Sequence, residues 1–514
     1  MQKEVVIFVL PILFIGFFII KNKFIGSLFI FLGYFMGVSD YICNKLLRTN
    51  IDLFTLLRID GDMLTMSPYV LKSLFLKILI LTLAVVLLIL IKLELLSWKR
   101  IIRYVKKCIY ILKRLLNYMS NFMNKLKKNY TASIIVTIII LIAVFNFTST
   151  GKSWCKIAQD LSNYIKYSQM SVSDLLQNLG ANDKYIFEKE IKAEHGKNII
   201  IIYCESLENG YFDNNLFPNL MPKINELIAN DEVIYYKNYE NCIGSGWTIG
   251  ALYTTQTGLP CFFGTNGNTI FSRIKDSKLL SYAKVLESAG YNNIFLSSSN
   301  LNFAGTGNMM KILGYDVKNF DQFDIPYSKT GWGVHDKDLF EQAKIEYDKL
   351  SKIHKPFNLT LLTVDTHFTK GVPDERLSNI VSKQFTMDTI EYSVNSLDYL
   401  IYDFYQYVKS QSNSDNTEIV ILGDHPLMGT EGNTPAVKRL KKSPRNITLI
   451  SSKKSNLYDI NDKLRYYDIP YFILDIADVK SNAVFSKKLF LDMSPEKIEK
   501  ENALFTNLNL KLTN

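Results

Sequence analysis

Three apolar runs in this chain each end on acidic or imidazole side chains. Glu205 follows Asn198–Cys204 (NIIIIYC), Asp365 and His367 follow the run begun by Phe357, and Asp424 and His425 follow Glu418–Leu422. Only five histidines occur in the 514 residues, and two of them sit at these ends. In an open α/β sheet, ligands gather beyond the carboxyl ends of the strands. Asp, Glu and His without cysteine suit a borderline-hard divalent ion, with zinc, manganese and magnesium all open. Asp424 and His425 are neighbours, so a regular strand would point them to opposite faces. They can share one ion only if the strand has already turned, and Pro426 makes that turn plausible. Any one of these residues alone reads equally as a solvated loop group or a satisfied core histidine.

A second signal is Gly244-Ser245-Gly246-Trp247-Thr248-Ile249-Gly250. A flexible turn leads into a helix, and Thr248 falls at its start. Backbone N–H groups and the helix dipole there attract an anion such as phosphate. A threonine hydroxyl is a poor nucleophile unless a metal lowers its pKa. By position alone, Thr248 reads as an ordinary helix cap.

These residues need a scaffold to converge. From about residue 197 strand-like runs alternate with helical patterns. Strands are predicted at Asn198–Cys204, Asn293–Leu296, Phe357–Val364, Glu418–Leu422 and Ile447–Ile450. Helices are predicted at Met221–Ala229, Thr248–Gly258, Lys278–Ala289 and Glu391–Val408. The alternation predicts an α/β domain over 197–480, with a mostly parallel central sheet flanked by helices. Residues 151–196 read as a helical or irregular linker, and 481–514 form a C-terminal extension without a motif. Cys242 and Cys261 could pair, but a chain of this length needs no disulfide framework, and free thiols are the simpler reading.

The first 150 residues have another character. Val5–Ile20, Phe24–Ile42, Leu71–Ile91 and Ser133–Phe147 are apolar enough to predict about four membrane helices. The net charge of +10 has a local origin, because ten Lys or Arg and no acid lie between Lys99 and Lys128. Removing those ten leaves 49 basic against 49 acidic residues, so a nucleic-acid partner is not expected. The segment 97–131 has helical apolar spacing and reads as a basic amphipathic stretch on the inner leaflet. That orientation predicts a multi-pass protein of the cytoplasmic (inner) membrane, with residues beyond 150 on the periplasmic or extracellular side.

Seven motifs occur in order: Tyr203–Glu208 (YCESLE), Phe217–Pro222 (FPNLMP), Gly244–Pro260, Phe303–Asn308 (FAGTGN), Gly331–Phe340 (GWGVHDKDLF), Leu362–His367 (LTVDTH) and Gly423–His425 (GDH). Together they resemble the phosphoglycerol transferase I family, which decorates glucans. That family is related to lipoteichoic acid synthases and phosphoethanolamine transferases within the alkaline phosphatase/sulfatase superfamily. The resemblance covers about 198–450 and implies an alkaline-phosphatase/sulfatase-like fold. It implies Thr248 as the nucleophile and Glu205, Asp424 and His425 as ligands of one divalent metal, with Thr248 as a further ligand. It implies that His367 binds the head group and assists catalysis. Phe303, Asn308, Trp332 and Arg445 become expected substrate contacts, although Arg445 also suits a salt bridge and Asp336 a helix cap. The implied reaction takes phosphoglycerol from phosphatidylglycerol, or a related phospholipid, to an envelope glycan through a phospho-threonine intermediate. The competing readings are phosphoethanolamine transfer, a phosphodiesterase or sulfatase-like hydrolase, and a degenerate scaffold. Thr248 stands where sulfatases carry Cys or Ser, which weighs against a sulfatase.

Overall fold

The run Asn198–Cys204 becomes the middle strand of a seven-stranded sheet, because four consecutive isoleucines can be buried only if both faces are covered. In the computed structural model, which describes residues 3–46, 68–93, 130–181, 185–263, 270–367, 370–427, 434–490 and 492–513, the chain forms two units, Met1–Ile165 and Lys166–Asn514.

The strands of the seven-stranded sheet are β1 (Asn198–Cys204), β2 (Ile234–Tyr235), β3 (Asn292–Ser297), β4 (Asp316–Lys318), β5 (Phe357–Leu362), β6 (Thr417–Gly423) and β7 (Leu449–Ser451). Their order is β2-β7-β6-β1-β5-β3-β4. β7 runs antiparallel to both neighbours, and every other pairing is parallel. The sheet is therefore mixed, with the antiparallel strand near one edge and a parallel centre that agrees with the sequence pattern.

Alternate residues of β1 feed two apolar cores. Ile199, Ile201 and Tyr203 face helices Thr248–Thr257, Tyr282–Ser288, Ile469–Ile476 and Asn502–Leu512. Ile200, Ile202 and Cys204 face Pro222–Ala229, Asp336–Ser351 and Ile390–Lys409.

Three boundaries in the second unit differ from expectation by two residues or more. The strand expected from Ile447 begins at Leu449, because the N–H groups of Ile447 and Thr448 go to Tyr239 O and Leu207 O. The helix expected from Lys278 begins at Tyr282, because the Ser281 hydroxyl caps the Lys284 N–H while the N–H groups of Lys278 and Leu280 go to Leu512 O and the Tyr185 hydroxyl. The strand expected to reach Val364 stops at Leu362, because the N–H groups of Val364 and Asp365 turn to the Asp336 carboxylate. No disulfide joins Cys242 to Cys261 among the described residues. The motif-free residues 481–514 end in the helix Asn502–Leu512, whose Leu504, Phe505, Leu508 and Leu512 are buried in the first core.

The first unit consists of apolar helices, Lys3–Phe14 with its continuation Ile15–Ile19, Lys23–Leu46, Pro68–Lys92 and Tyr130–Phe147, followed by Ser149–Ser168, which runs into the second unit. Among the described residues, only the Lys23–Cys43 stretch is by itself long and apolar enough to cross a membrane. The fourth expected span ends in a corner, since Ile134–Phe147 meets Ser149–Ser168 at 89°. Val5–Ile19 and Leu81–Lys92 are apolar but short. Apart from its last residues, the basic segment 97–131 lies outside the described residues. In the stretch expected as a linker, the chain is helical over Ser149–Ser168 and Val172–Asn178.

Candidate active site

β1 and β6 lie side by side, with Cys204 opposite Gly423, so the residues that follow them must meet. Asp424 extends the ladder by one bond, its N–H donating to Cys204 O (3.0 Å). The chain then folds back, and the His425 N–H donates to the Asp424 Oδ1 beside it (2.7 Å). This turn brings two neighbouring side chains into one pocket, as Pro426 led us to expect. Gly423 is required here, because a Cβ would lie 2.1 Å from Leu207 O.

On the other strand, Ser206 adopts φ 54°, an uncommon value for a residue other than glycine. Its N–H donates to Asp424 Oδ1 (2.8 Å) and its hydroxyl to Glu205 Oε1 (2.6 Å). Thr363 and Thr366 bracket the Glu205 backbone, one accepting from its N–H (3.0 Å) and one donating to its carbonyl (2.5 Å). The Tyr466 hydroxyl donates to Asp424 O.

Thr248 opens the helix Thr248–Thr257. Its Oγ1 lies 3.3 Å from Glu205 Oε2 and 3.3 Å from His425 Nε2. Nε2 is in turn 3.4 Å from Glu205 Oε1 and 3.5 Å from Asp424 Oδ2. The His425 Nδ1–H donates to Pro426 O (2.9 Å), which leaves the Nε2 lone pair facing the carboxylates. Asp424 Oδ2 is buried without a hydrogen-bond partner. A buried carboxylate oxygen without a donor is costly unless a cation completes it. Ligand atoms of Glu205, Asp424 and His425 all lie within 4.8 Å of one another. One imidazole nitrogen and two carboxylates, closed at one side by the threonine hydroxyl, fit a divalent metal.

The electrostatics agree. Burial and the neighbouring Glu205 push Asp424 up to about 7. Burial works against the Glu205 charge as well, but His425, His367 and the Ser206 and Thr248 hydroxyls outweigh it and hold Glu205 below its ordinary value. His425 is raised, since Asp424 and Glu205 overcome its burial.

His367 is close enough for its charge to bear on Glu205, and its ring lies 4.1 Å from that of Trp332. Phe303 meets Trp332 edge-on, at 6.1 Å. The loops carrying Trp332 and His367 are locked by reciprocal carboxylates. Asp336 accepts from the N–H of Val364 (2.7 Å) and Asp365 (2.9 Å), and Asp365 accepts from the Asp336 N–H (3.0 Å). Asp336 therefore does not cap its own helix. It is the first helical residue, and Asp365 takes its N–H from across the sheet ends.

Two expected substrate contacts are occupied by the protein itself. The Asn308 amide donates to Phe271 O (2.5 Å) and Ile274 O (2.7 Å). Arg445 pairs with the buried Glu208 through Nε (2.7 Å) and a second nitrogen, and also donates to Leu427 O (2.8 Å). Glu208 accepts from the Leu427 N–H as well (2.7 Å), so this group steadies the turn that follows His425.

Sequence reasoning did not single out Ser206, Thr363 or Thr366, although all three lie inside the quoted YCESLE and LTVDTH motifs. Tyr466 gave no local signal. Nor did Asn509, which is fully buried on the helix Asn502–Leu512. Its Oδ1 accepts from the Tyr253 hydroxyl (3.0 Å), and its amide donates to Pro260 O (2.8 Å) and Phe262 O (2.9 Å). The Phe262 ring lies under Gly244 (φ 80°), where a Cβ would stand 2.6 Å from Phe262 Cε1. The C-terminal helix thus reaches the loop that presents Thr248.

An α/β sheet with a two-carboxylate, one-imidazole metal pocket beside a helix-start threonine is a scaffold for phosphoryl or sulfuryl chemistry. The chain belongs to the sulfatase family, whose model matches residues 197–478. It is similar to phosphoglycerol transferase I of Xanthomonas euvesicatoria pv. vesicatoria, at 31% identity over 242 residues, covering 45% of this chain and 34% of that protein. The protein of the same name from Citrobacter koseri is 30% identical over 259 residues, 48% of this chain and 33% of that one. The matched stretch thus spans about a third of the length of these relatives. Among solved structures, the lipoteichoic acid synthase LtaP from Listeria monocytogenes is similar at 15% identity and a TM-score of 0.49, covering 67% of this chain and 97% of that one.

Proposed function

We propose that the chain transfers phosphoglycerol from phosphatidylglycerol, or a related phospholipid, to a hydroxyl of an envelope glycan through a covalent intermediate on Thr248. The observation that carries this reading is the place of Thr248 Oγ1, 3.3 Å from both Glu205 and His425 at the start of a helix. The named relatives support the choice of head group.

In the first step Thr248 Oγ1 bonds to phosphorus and gives up its proton. The bond from phosphorus to the diacylglycerol oxygen breaks, and that oxygen leaves with a proton. In the second step the acceptor oxygen bonds to phosphorus and releases its proton, the bond to Thr248 breaks, and the departing Thr248 oxygen takes up a proton in its place. A divalent metal held by Glu205, Asp424 and His425 with Thr248 supplies a lowered hydroxyl pKa and charge neutralisation on the phosphoryl oxygens. The N–H groups of the first helical turn face the same charge. His367, backed by Trp332 and Phe303, holds the head group or protonates the leaving oxygen.

On this reading the apolar helices of the first unit lie in the cytoplasmic membrane and the catalytic chemistry on its outer side; the long apolar stretch Lys23–Cys43 supports it. Anchoring raises the effective concentration of a lipid donor.

The test is intact mass spectrometry after incubation with phosphatidylglycerol. A glycerol phosphate adduct on Thr248, absent from Thr248→Ala, is expected. A phosphoethanolamine adduct seen only with phosphatidylethanolamine would assign the other head group. Transfer that persists in Thr248→Ala would overturn the covalent mechanism.

A further inference from the structure

The corner between Tyr130–Phe147 and Ser149–Ser168 is a built feature. Thr148 caps the second helix, its hydroxyl accepting from the Gly151 N–H (3.0 Å) while donating back to Val144 O (2.6 Å). Gly151 allows the close approach, since a Cβ there would lie 2.4 Å from Val144 O. The Thr150 hydroxyl donates to Asp40 Oδ2 (2.6 Å), and Trp154 Nε1 donates to Met36 O (3.2 Å). Both partners belong to the helix Lys23–Leu46, at the level where its apolar run gives way to Ser39 and Asp40. Two independent ties therefore hold the second helix at 89° to the first.

The two arms have different surfaces. On the first, Ile134, Ile135, Ile138, Ile139 and Ile142 are 42% to 59% exposed, which water would not tolerate as a continuous face. The second carries an apolar stripe at Trp154, Ile157, Leu161, Tyr164 and Ile165, with Lys152, Gln159 and Lys166 on the opposite side. Trp154 begins the stripe against the apolar helices of the unit, and Ile157 beside it is buried. Ala158 and Leu161 continue it as exposed residues. The stripe thus points toward the layer that the apolar helices occupy.

We propose that the helix Ser149–Ser168 lies along the head-group layer of a phospholipid bilayer, with its Ala158–Leu161 side turned to the acyl chains and Gln159 to water. An amphipathic helix held at a right angle to an apolar one, with its stripe facing the same side as that helix, has the interfacial geometry. This rests on the reading that Tyr130–Phe147 sits within the bilayer.

The experiment introduces a photoreactive diazirine side chain, one position at a time, at Ile138, Leu161 and Gln159 of the full chain in phosphatidylglycerol–phosphatidylethanolamine vesicles. Lipid adducts are then counted by mass spectrometry. Adducts at Ile138 and Leu161, several-fold above Gln159, are expected. No lipid adduct at Ile138 would sink the membrane reading itself. Adducts at Ile138 with none at Leu161, or cross-links from Leu161 to protein, would overturn the interfacial placement alone. Equal lipid labelling at Leu161 and Gln159 would also overturn it, because a helix surrounded by lipid is re-entrant rather than interfacial.

Discussion

At neutral pH an isolated threonine hydroxyl keeps its proton, so the chemistry of Thr248 depends on what surrounds it. Asp424 carries the clearest consequence. In the metal-free protein its carboxyl titrates at about 7, raised by burial and by Glu205, and His425 is also raised. A metal binds the deprotonated forms, so it must displace those protons. Metal affinity should therefore rise with pH up to and through about 7 and fall below it, which calorimetry in two buffers of different ionisation enthalpy would read as proton release. Asp424→Asn should lose stoichiometric metal by elemental analysis while remaining folded, and retention of the metal would remove Asp424 from the ligand set. At the aromatic wall, Trp332→Ala removes a ring contact worth about 1 kcal/mol. Its expected effect is a several-fold loss in kcat/KM for the lipid donor, with the Thr248 adduct still formed.

The elements that present these residues are held by polar groups more than by propensity. Asn509 satisfies one hydroxyl and two carbonyls next to the Thr248 helix. Asn509→Leu leaves them buried without partners, at about 1–3 kcal/mol each. A clear drop in the thermal midpoint is expected by differential scanning fluorimetry. An unchanged midpoint would mean that the Asn509 hydrogen bonds do not hold the Thr248 helix in place. A second element carries a pH signature. Asp398 caps the helix Pro222–Ala229 from the helix Ile390–Lys409, accepting from the N–H of Lys223 (2.8 Å) and Ile224 (2.9 Å). Burial pushes its carboxyl up to about 7 from an ordinary 3.8. The folded state then holds a proton that the unfolded state has already released. Its contribution to stability is greatest below about pH 4 and declines as pH rises through about 7. Asp398→Asn should flatten that part of the stability–pH curve.

Over the whole molecule, every described residue of the two apolar cores that flank the sheet lies after Lys166. Residues 166–514 expressed alone should therefore fold, unfold cooperatively and keep the metal. Turnover of a lipid donor in vesicles should fall by about 10²–10⁴, the advantage of tethering, while a short-chain soluble donor loses little. Equal loss on both donors would place the first unit in the chemistry itself rather than in delivery.

The sequence by itself determined five of the sheet's seven strands and the chemical types at their carboxyl ends, but not the short strands Ile234–Tyr235 and Asp316–Lys318 or the antiparallel run of Leu449–Ser451. Four β-branched isoleucines in a short run read as a buried strand, and an acid or histidine directly after such a strand lies at its carboxyl end. That reading is local, because period and strand end depend on neighbouring residues. The tertiary structure decided which groups face a ligand and which are already satisfied. Arg445 and Asn308 are typical binding side chains in a list of residues, yet Glu208 and two backbone carbonyls from distant segments already engage them. Asp336 clamps the loop of His367 rather than capping its own helix. Asn509 and Tyr466 entered only through contacts made more than forty residues away along the chain. Hydrophobic pattern is written every few residues, whereas hydrogen-bond satisfaction is settled only when remote segments meet.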